Sequence, residues 1–309
     1  SGDQMKRVLL ILIISAVSVL AQNVTVLEDI EITDPSEGTF YYPVLSPDGT
    51  GILFTSESHQ GLWYKNFSSN LITKISDAPA AGYQPGFNAE NNEIIYREDD
   101  FSKGKRISSL VSYNPLTQKT TVLDEEIRDL KFLRNGSSLS FYTKESEPRP
   151  VSIKNALQKV SSSGIAVTIE NTKIIVYEDN VKRVLDPLEN GNYIWPSLSP
   201  DKTKLVFTCI GRGTYISSLD GKVLTKLGYA NYPTWSPDGN WILFMKDIDD
   251  GHKVISSDIY ITDLNGGRYF NLTLDKNRVS MFPVWGNSNS EIYYNTYDGQ
   301  IRKIKLNYE

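Results

Sequence analysis

The stretch Tyr42-Pro43-Val44-Leu45-Ser46-Pro47-Asp48-Gly49, followed by Ile52-Leu53-Phe54-Thr55-Ser56, decides the fold because it recurs. It returns as Trp195-Pro196-Ser197-Leu198-Ser199-Pro200-Asp201 with Leu205-Val206-Phe207-Thr208. A third copy reads Tyr232-Pro233-Thr234-Trp235-Ser236-Pro237-Asp238-Gly239 with Trp241-Ile242-Leu243-Phe244. Weaker copies are Gln84-Pro85-Gly86-Phe87 with Ile94-Ile95-Tyr96, and Phe282-Pro283-Val284-Trp285 with Ile292-Tyr293-Tyr294. In all five an aromatic residue falls eleven positions after the leading proline. A sentence repeated at this length marks a repeat architecture.

Each copy has a physical reading. Ser-Pro-Asp-Gly is a tight turn, in which Pro pre-sets φ, Asp suits the next position and Gly accepts the left-handed conformation. The flanking segments are short, apolar and rich in β-formers, so each copy is a β-hairpin. Further strands follow, as in Leu62-Trp63-Tyr64-Lys65, the polar Leu71–Ile75 run, and Asp258-Ile259-Tyr260-Ile261-Thr262 with its strict alternation. Four antiparallel strands per repeat is the blade of a β-propeller.

Spacing predicts the blade number. Leading prolines at 43, 85, 196, 233 and 283 give intervals of 42, 111, 37 and 50. The interval of 111 divides into three of 37, so two degenerate blades are expected within it. Candidates are Leu130–Gly136 with Leu139–Tyr142, and Ala166–Ile169 with Lys173–Tyr177. The expectation is an all-β propeller of four-stranded blades, seven in number, with six as the alternative. The last copy ends one strand short at Ile301–Ile304, and Val24-Thr25-Val26-Leu27 could supply that strand and close the ring.

The Tyr-Pro-x-x-Ser-Pro-Asp-Gly-x-x-Ile-x-Phe phrase resembles the repeat of the TolB-type propellers, over roughly residues 40–306. It is also similar to repeats of prolyl-oligopeptidase relatives and of oligogalacturonate-lyase-like propellers. The resemblance implies the propeller fold, without the N-terminal α/β domain that TolB proteins carry. The peptidase relatives would imply a Gly-x-Ser-x-Gly nucleophile elbow, which is missing from this sequence. The lyase-like relatives would imply a histidine-rich metal site, for which this chain has two histidines.

Composition narrows the function classes. Of 309 residues 39% are hydrophobic, enough for a sizeable core, and the net charge is −5, so no basic field is available for nucleic acid. One cysteine, Cys209, excludes an internal disulfide or a Cys-pair redox motif. No cofactor, metal or catalytic residue is expected. Met5-Lys6-Arg7 followed by thirteen uncharged residues, Val8 to Leu20, and Ala21 reads as a cleavable export signal too short to span a bilayer. Residues 1–21, including an extraneous Ser1–Gln4, are therefore set apart from a single domain at 22–309. The expected location is periplasmic or secreted, with no lasting membrane span.

The binding candidates follow from propeller geometry. The residues just before each inner strand arrive at the central channel, on the face opposite the Ser-Pro-Asp turns. They are Tyr42, Gln84, Asp129, Trp195, Tyr232 and Phe282, four of them aromatic. Arg97, Lys246 and Asn295, at the ends of second strands, are the expected polar company. Such a mouth could grip a protein or peptide partner, or stack on a glycan. His59 and His252 read as solvated loop histidines. Asp247, Asp249, Asp250 and Asp258 read as a charged hairpin loop.

Overall fold

The computed structural model describes residues 23–88, 91–102, 104–128, 130–135, 138–142, 149–150, 165–178, 181–274 and 277–309, without the side chains of 131–150. The expected export signal and Asp129 lie outside the described residues. Among those described, the chain forms strands and one turn of 3₁₀ helix at Pro35–Glu37. The strands make seven antiparallel sheets, five of four strands and two of three. Blade 1 runs from Tyr41–Leu45 through Gly51–Thr55 and Leu62–Asn66 to Ile72–Ser76. Blade 2 starts at Gly86–Phe87, blade 5 at Tyr193–Leu198, blade 6 at Asn231–Trp235 and blade 7 at Ser280–Trp285. Blades 3 and 4 begin at Lys131–Asn135 and Ile165–Glu170, where the degenerate hairpins were expected.

Blade 4 departs from the four-strand expectation for a local reason. Its third strand, Val181–Leu185, is followed by only seven residues before the next inner strand. Those residues wrap around Asp186, whose carboxylate accepts the N–H groups of Asn190 and Gly191, the Tyr193 hydroxyl and the Lys173 ammonium. No length remains for an outer strand.

The core lies between blades. In blade 1 the second strand is buried at every residue. Its alternation sends Ile52 and Phe54 toward Tyr293 of blade 7, and Leu53 toward Phe87 and Tyr96 of blade 2. The other strong copies repeat this. Leu205 and Phe207 face blade 4 while Val206 faces blade 6. Ile242 and Phe244 face blade 5 while Leu243 and Met245 face blade 7. The aromatic eleven residues after each proline therefore always packs against the preceding blade.

The Ser-Pro-Asp turns are built alike. Ser46, Ser199 and Ser236 are at most 3% exposed. Their hydroxyls donate to Asp48, Asp201 and Asp238 at 2.7, 2.5 and 2.6 Å. The same oxygens accept the N–H of Gly51, Lys204 and Trp241. The Ser199 hydroxyl, helped by Thr203, holds Asp201 down at about 2. The left-handed position is Gly49 and Gly239 in two turns but Lys202, at φ +59°, in the third. A side chain there costs about 1 kcal/mol or more. Lys202→Gly is therefore expected to raise unfolding stability by about 1 kcal/mol, read by urea titration.

The ring closes as expected. Val24–Glu31 pairs antiparallel with Ile301–Tyr308 as the outer strand of blade 7. Asp29, its side chain 3% exposed, anchors this closure. Arg302 Nε donates to its carboxylate at 3.0 Å, Arg278 pairs with it, and the Tyr294 hydroxyl donates at 3.1 Å. Removing one partner from a buried ion pair strands the others. Asp29→Ala should cost about 3–5 kcal/mol in chemical unfolding and open Val24–Glu31 to proteolysis.

Candidate functional site at the channel mouth

The candidate residues share a backbone state that the sequence did not announce. Tyr42, Gln84, Trp195, Tyr232 and Phe282 all have φ between +51° and +56°, each immediately before a proline. The four aromatic ones lie inside the inner strands, at bulges where the pairing register shifts. A left-handed aromatic residue before proline is a strained arrangement, costing on the order of 1–3 kcal/mol. Its effect is to turn each side chain out of the pleat.

The rings so turned form one chain. Trp195 meets Tyr232 at 6.2 Å between centroids, Tyr232 meets Phe282 at 5.5 Å, and Phe282 meets Tyr42 at 4.6 Å. These contacts link blades 5, 6, 7 and 1. The chain continues through residues that sequence reasoning passed over. Tyr42 stacks on His59 at 4.3 Å, His59 meets the edge of Tyr83 at 5.4 Å, and the Arg97 guanidinium lies 4.6 Å over Tyr83. Gln84 is exposed beside Tyr83 and has no part in the ring contacts.

His59 is thus not the solvated loop residue expected. Its loop is polar, but Tyr42 covers the ring, which is half-buried, and Nδ1 is enclosed without a hydrogen-bond partner. Burial pushes the imidazole below its ordinary 6.5, opposed by a hydrogen bond to the Gly82 backbone and reinforced by the charge of Arg97.

The predicted polar residues divide. Asn295, fully buried, accepts the Tyr42 N–H at 3.1 Å. Arg97, 6% exposed, donates to the Leu130 carbonyl at 3.0 Å and lies 3.6 Å from Asp99, while its Nε has no partner. Lys246 does not join them; its ammonium lies over Tyr260 and Tyr269 at 4.7 and 4.9 Å, away from the mouth. The blade-6 counterpart of Asn295 is Met245, whose sulfur accepts the Phe282 N–H at 3.5 Å. Thr208 plays the same part in blade 5, donating to the Ala230 carbonyl at 3.3 Å. In blades 5, 6 and 7 the residue twelve after the proline thus ties its blade to the chain entering the next, whereas Thr55 of blade 1 donates to the Gly61 carbonyl of its own blade. His252 is exposed in its hairpin, and Asp249 and Asp250 there accept only backbone N–H groups of their own loop.

Comparison with known proteins places the fold. The chain is similar to a protein described as TolB from Agrobacterium tumefaciens, at 14% identity and TM-score 0.52, over 93% of this chain and 98% of that one. It is similar at 10% identity and TM-score 0.52 to a protein described as a gluconolactonase, over 91% and 93% of the two chains. An oligogalacturonate lyase in complex with manganese aligns at 14% identity and TM-score 0.48, over 89% and 79%. No family model and no curated protein matches the sequence. The fold is a TolB-like β-propeller, which fixes the architecture and leaves the activity to the site.

A depressed histidine makes a prediction with a definite sign. The unfolded chain takes up the proton first on acidification, so the neutral-His59 contribution is whole above about pH 6.5 and is lost below it. Guanidinium unfolding at pH 7.5 and 5.5 should show wild type losing more stability on acidification than His59→Gln.

Proposed function

We propose that this chain is an exported, non-catalytic propeller that holds a protein or peptide partner at its channel mouth. The observation that carries the reading is the continuous ring chain from Trp195 to Tyr42, held in half-buried positions by four left-handed residues in the same register. Backbone strain repeated at equivalent positions is consistent with a functional surface. Ring orientation favours side chains over sugars. Adjacent rings meet at 71°, 87° and 50°, giving edges and notches instead of one flat platform. A sugar stacks on an open aromatic face, and one face of Tyr42 is taken by His59. A glycan remains the alternative occupant. Export rests on the Met5–Ala21 segment of the sequence. Among the described residues no helix is long and apolar enough to cross a membrane.

The test is capture from an envelope or secreted fraction by the purified chain, read by mass spectrometry beside a Trp195→Ala, Tyr232→Ala double variant. The expected result is a protein held by wild type and lost by the variant, whose melting temperature stays within about 5 °C. If the variant unfolds instead, the rings are packing between blades and the mouth is not a site. Capture of glycans alone would replace the protein partner with the carbohydrate reading.

A further inference from the structure

Three carboxylates stand around the ring chain, at the mouth end of second strands. Glu57 and Asp247 each fall fourteen residues after a leading proline, Pro43 and Pro233, and Asp298 lies just beyond Glu291–Thr296. Asp247 borders the Tyr232 end of the chain, where it accepts the amide of Asn231 at 2.8 Å and the Tyr229 hydroxyl at 3.4 Å. Glu57 and Asp298 border the Tyr42 end. Burial raises the Tyr42 hydroxyl above its ordinary range, and the charge of Glu57 raises it further. Tyr41 is raised by burial and then by Glu57 and Asp298.

These charges are not answered from within. Glu57 and Asp298 are exposed, Asp247 is partly so, and among the described residues none of the three pairs with Lys or Arg. The cations of this face are engaged or placed elsewhere. Arg97 is 6% exposed and lies 3.6 Å from Asp99, and the Lys246 ammonium lies over Tyr260. Arg212 donates to the carbonyls of Leu188 and Glu189. Lys105 and Arg106 belong to the loop between the second and third strands of blade 2. Lys253 shares the tip of the blade-6 hairpin with Asp249 and Asp250. Between the carboxylates the surface is apolar, with Tyr232, Phe282 and Tyr42 half-buried and Tyr229 and Tyr297 exposed. An apolar floor rimmed by unmatched negative charge selects its occupant by sign.

We propose that the partner held at the mouth presents a basic segment, whose Lys or Arg side chains reach these carboxylates. This rests on the mouth reading above and gives the occupant its chemistry. A Lys or Arg stem is apolar for most of its length, so it lies along the rings while its head stays at the wet rim beside Glu57, Asp298 or Asp247. The tilted rings suit a cation as well, because a notch between aromatic faces presents negative π density to it. An acidic segment would meet three charges of its own sign. An uncharged one would cover carboxylates without replacing the water it removes.

Panning a random peptide library displayed on phage against the purified chain tests this, with selected peptides synthesised and titrated by fluorescence anisotropy. Two variants accompany wild type: Trp195→Ala, Tyr232→Ala, and the isosteric Glu57→Gln, Asp247→Asn, Asp298→Asn, which should melt within about 5 °C of wild type. Selected peptides are expected to carry Lys or Arg and to bind the carboxylate variant about tenfold or more weaker, with affinity falling as salt rises. The same peptides with glutamine at each basic position should lose affinity for wild type by a similar factor. Selected peptides without Lys or Arg, or equal affinity for the carboxylate variant, overturn the proposal. In that case loss of binding in the Trp195→Ala, Tyr232→Ala variant leaves the mouth itself standing as a site. Basic peptides that bind the aromatic variant undiminished overturn both readings, since the charges then act away from the rings. A library that yields no binder overturns the basic segment and leaves the mouth to the capture experiment.

Discussion

The second strand of each blade has no face to give to water, and the rest of the molecule follows from that constraint. A strand in a two-layer protein hides one face and wets the other. Here Ile52 and Phe54 are covered by one neighbouring blade and Leu53 by the other, with all three fully buried. Each such side chain contributes roughly 1.5–3 kcal/mol when covered and nothing when its neighbour is absent. A blade is therefore stable only between two others, and a row of blades must become a ring. The seal at Asp29 accordingly protects both end faces of the row, not one strand alone.

The same alternation builds the mouth. If the residue eleven after the proline points back, the residue twelve after it points forward, at the height where the next inner strand begins. Thr208, Met245 and Asn295 stand there and each meets backbone of the following blade. For Met245 and Asn295 that backbone is the N–H of a left-handed aromatic residue, Phe282 or Tyr42. The stitch between blades and the presentation of the rings are then one device. The position tolerates different chemistry because hydroxyl, thioether and amide can all reach a main-chain group.

What was legible in the sequence was local or periodic. The Ser-Pro-Asp turn, the buried hairpins and the closing strand at Val24 follow from turn chemistry, alternation and counting. The left-handed residues do not, since the local rule places a residue before proline in extended backbone. At Tyr42 and its equivalents the fold overrides that rule by bulging the strand. His59 was misread because its polar loop suggests solvent, while the ring that buries it, Tyr42, belongs to a different strand of the blade. Lys246 was misplaced by one step of the pleat, which sends its side chain to the outer aromatics instead of the channel. The Asp29 network joins residues 249 and 273 positions apart, beyond the reach of any short-range signal.

The channel mouth and the cleft beside the third strand of blade 6 differ in where their residues come from. The mouth is assembled from the repeat itself: aromatic residues at equivalent positions, brought into contact because the ring turns them toward one axis. The cleft between blades 6 and 7 uses residues the repeat leaves free, on the third strand of blade 6 and the connection beyond its outer strand. Arg278 belongs to the cleft and to the Asp29 seal alike.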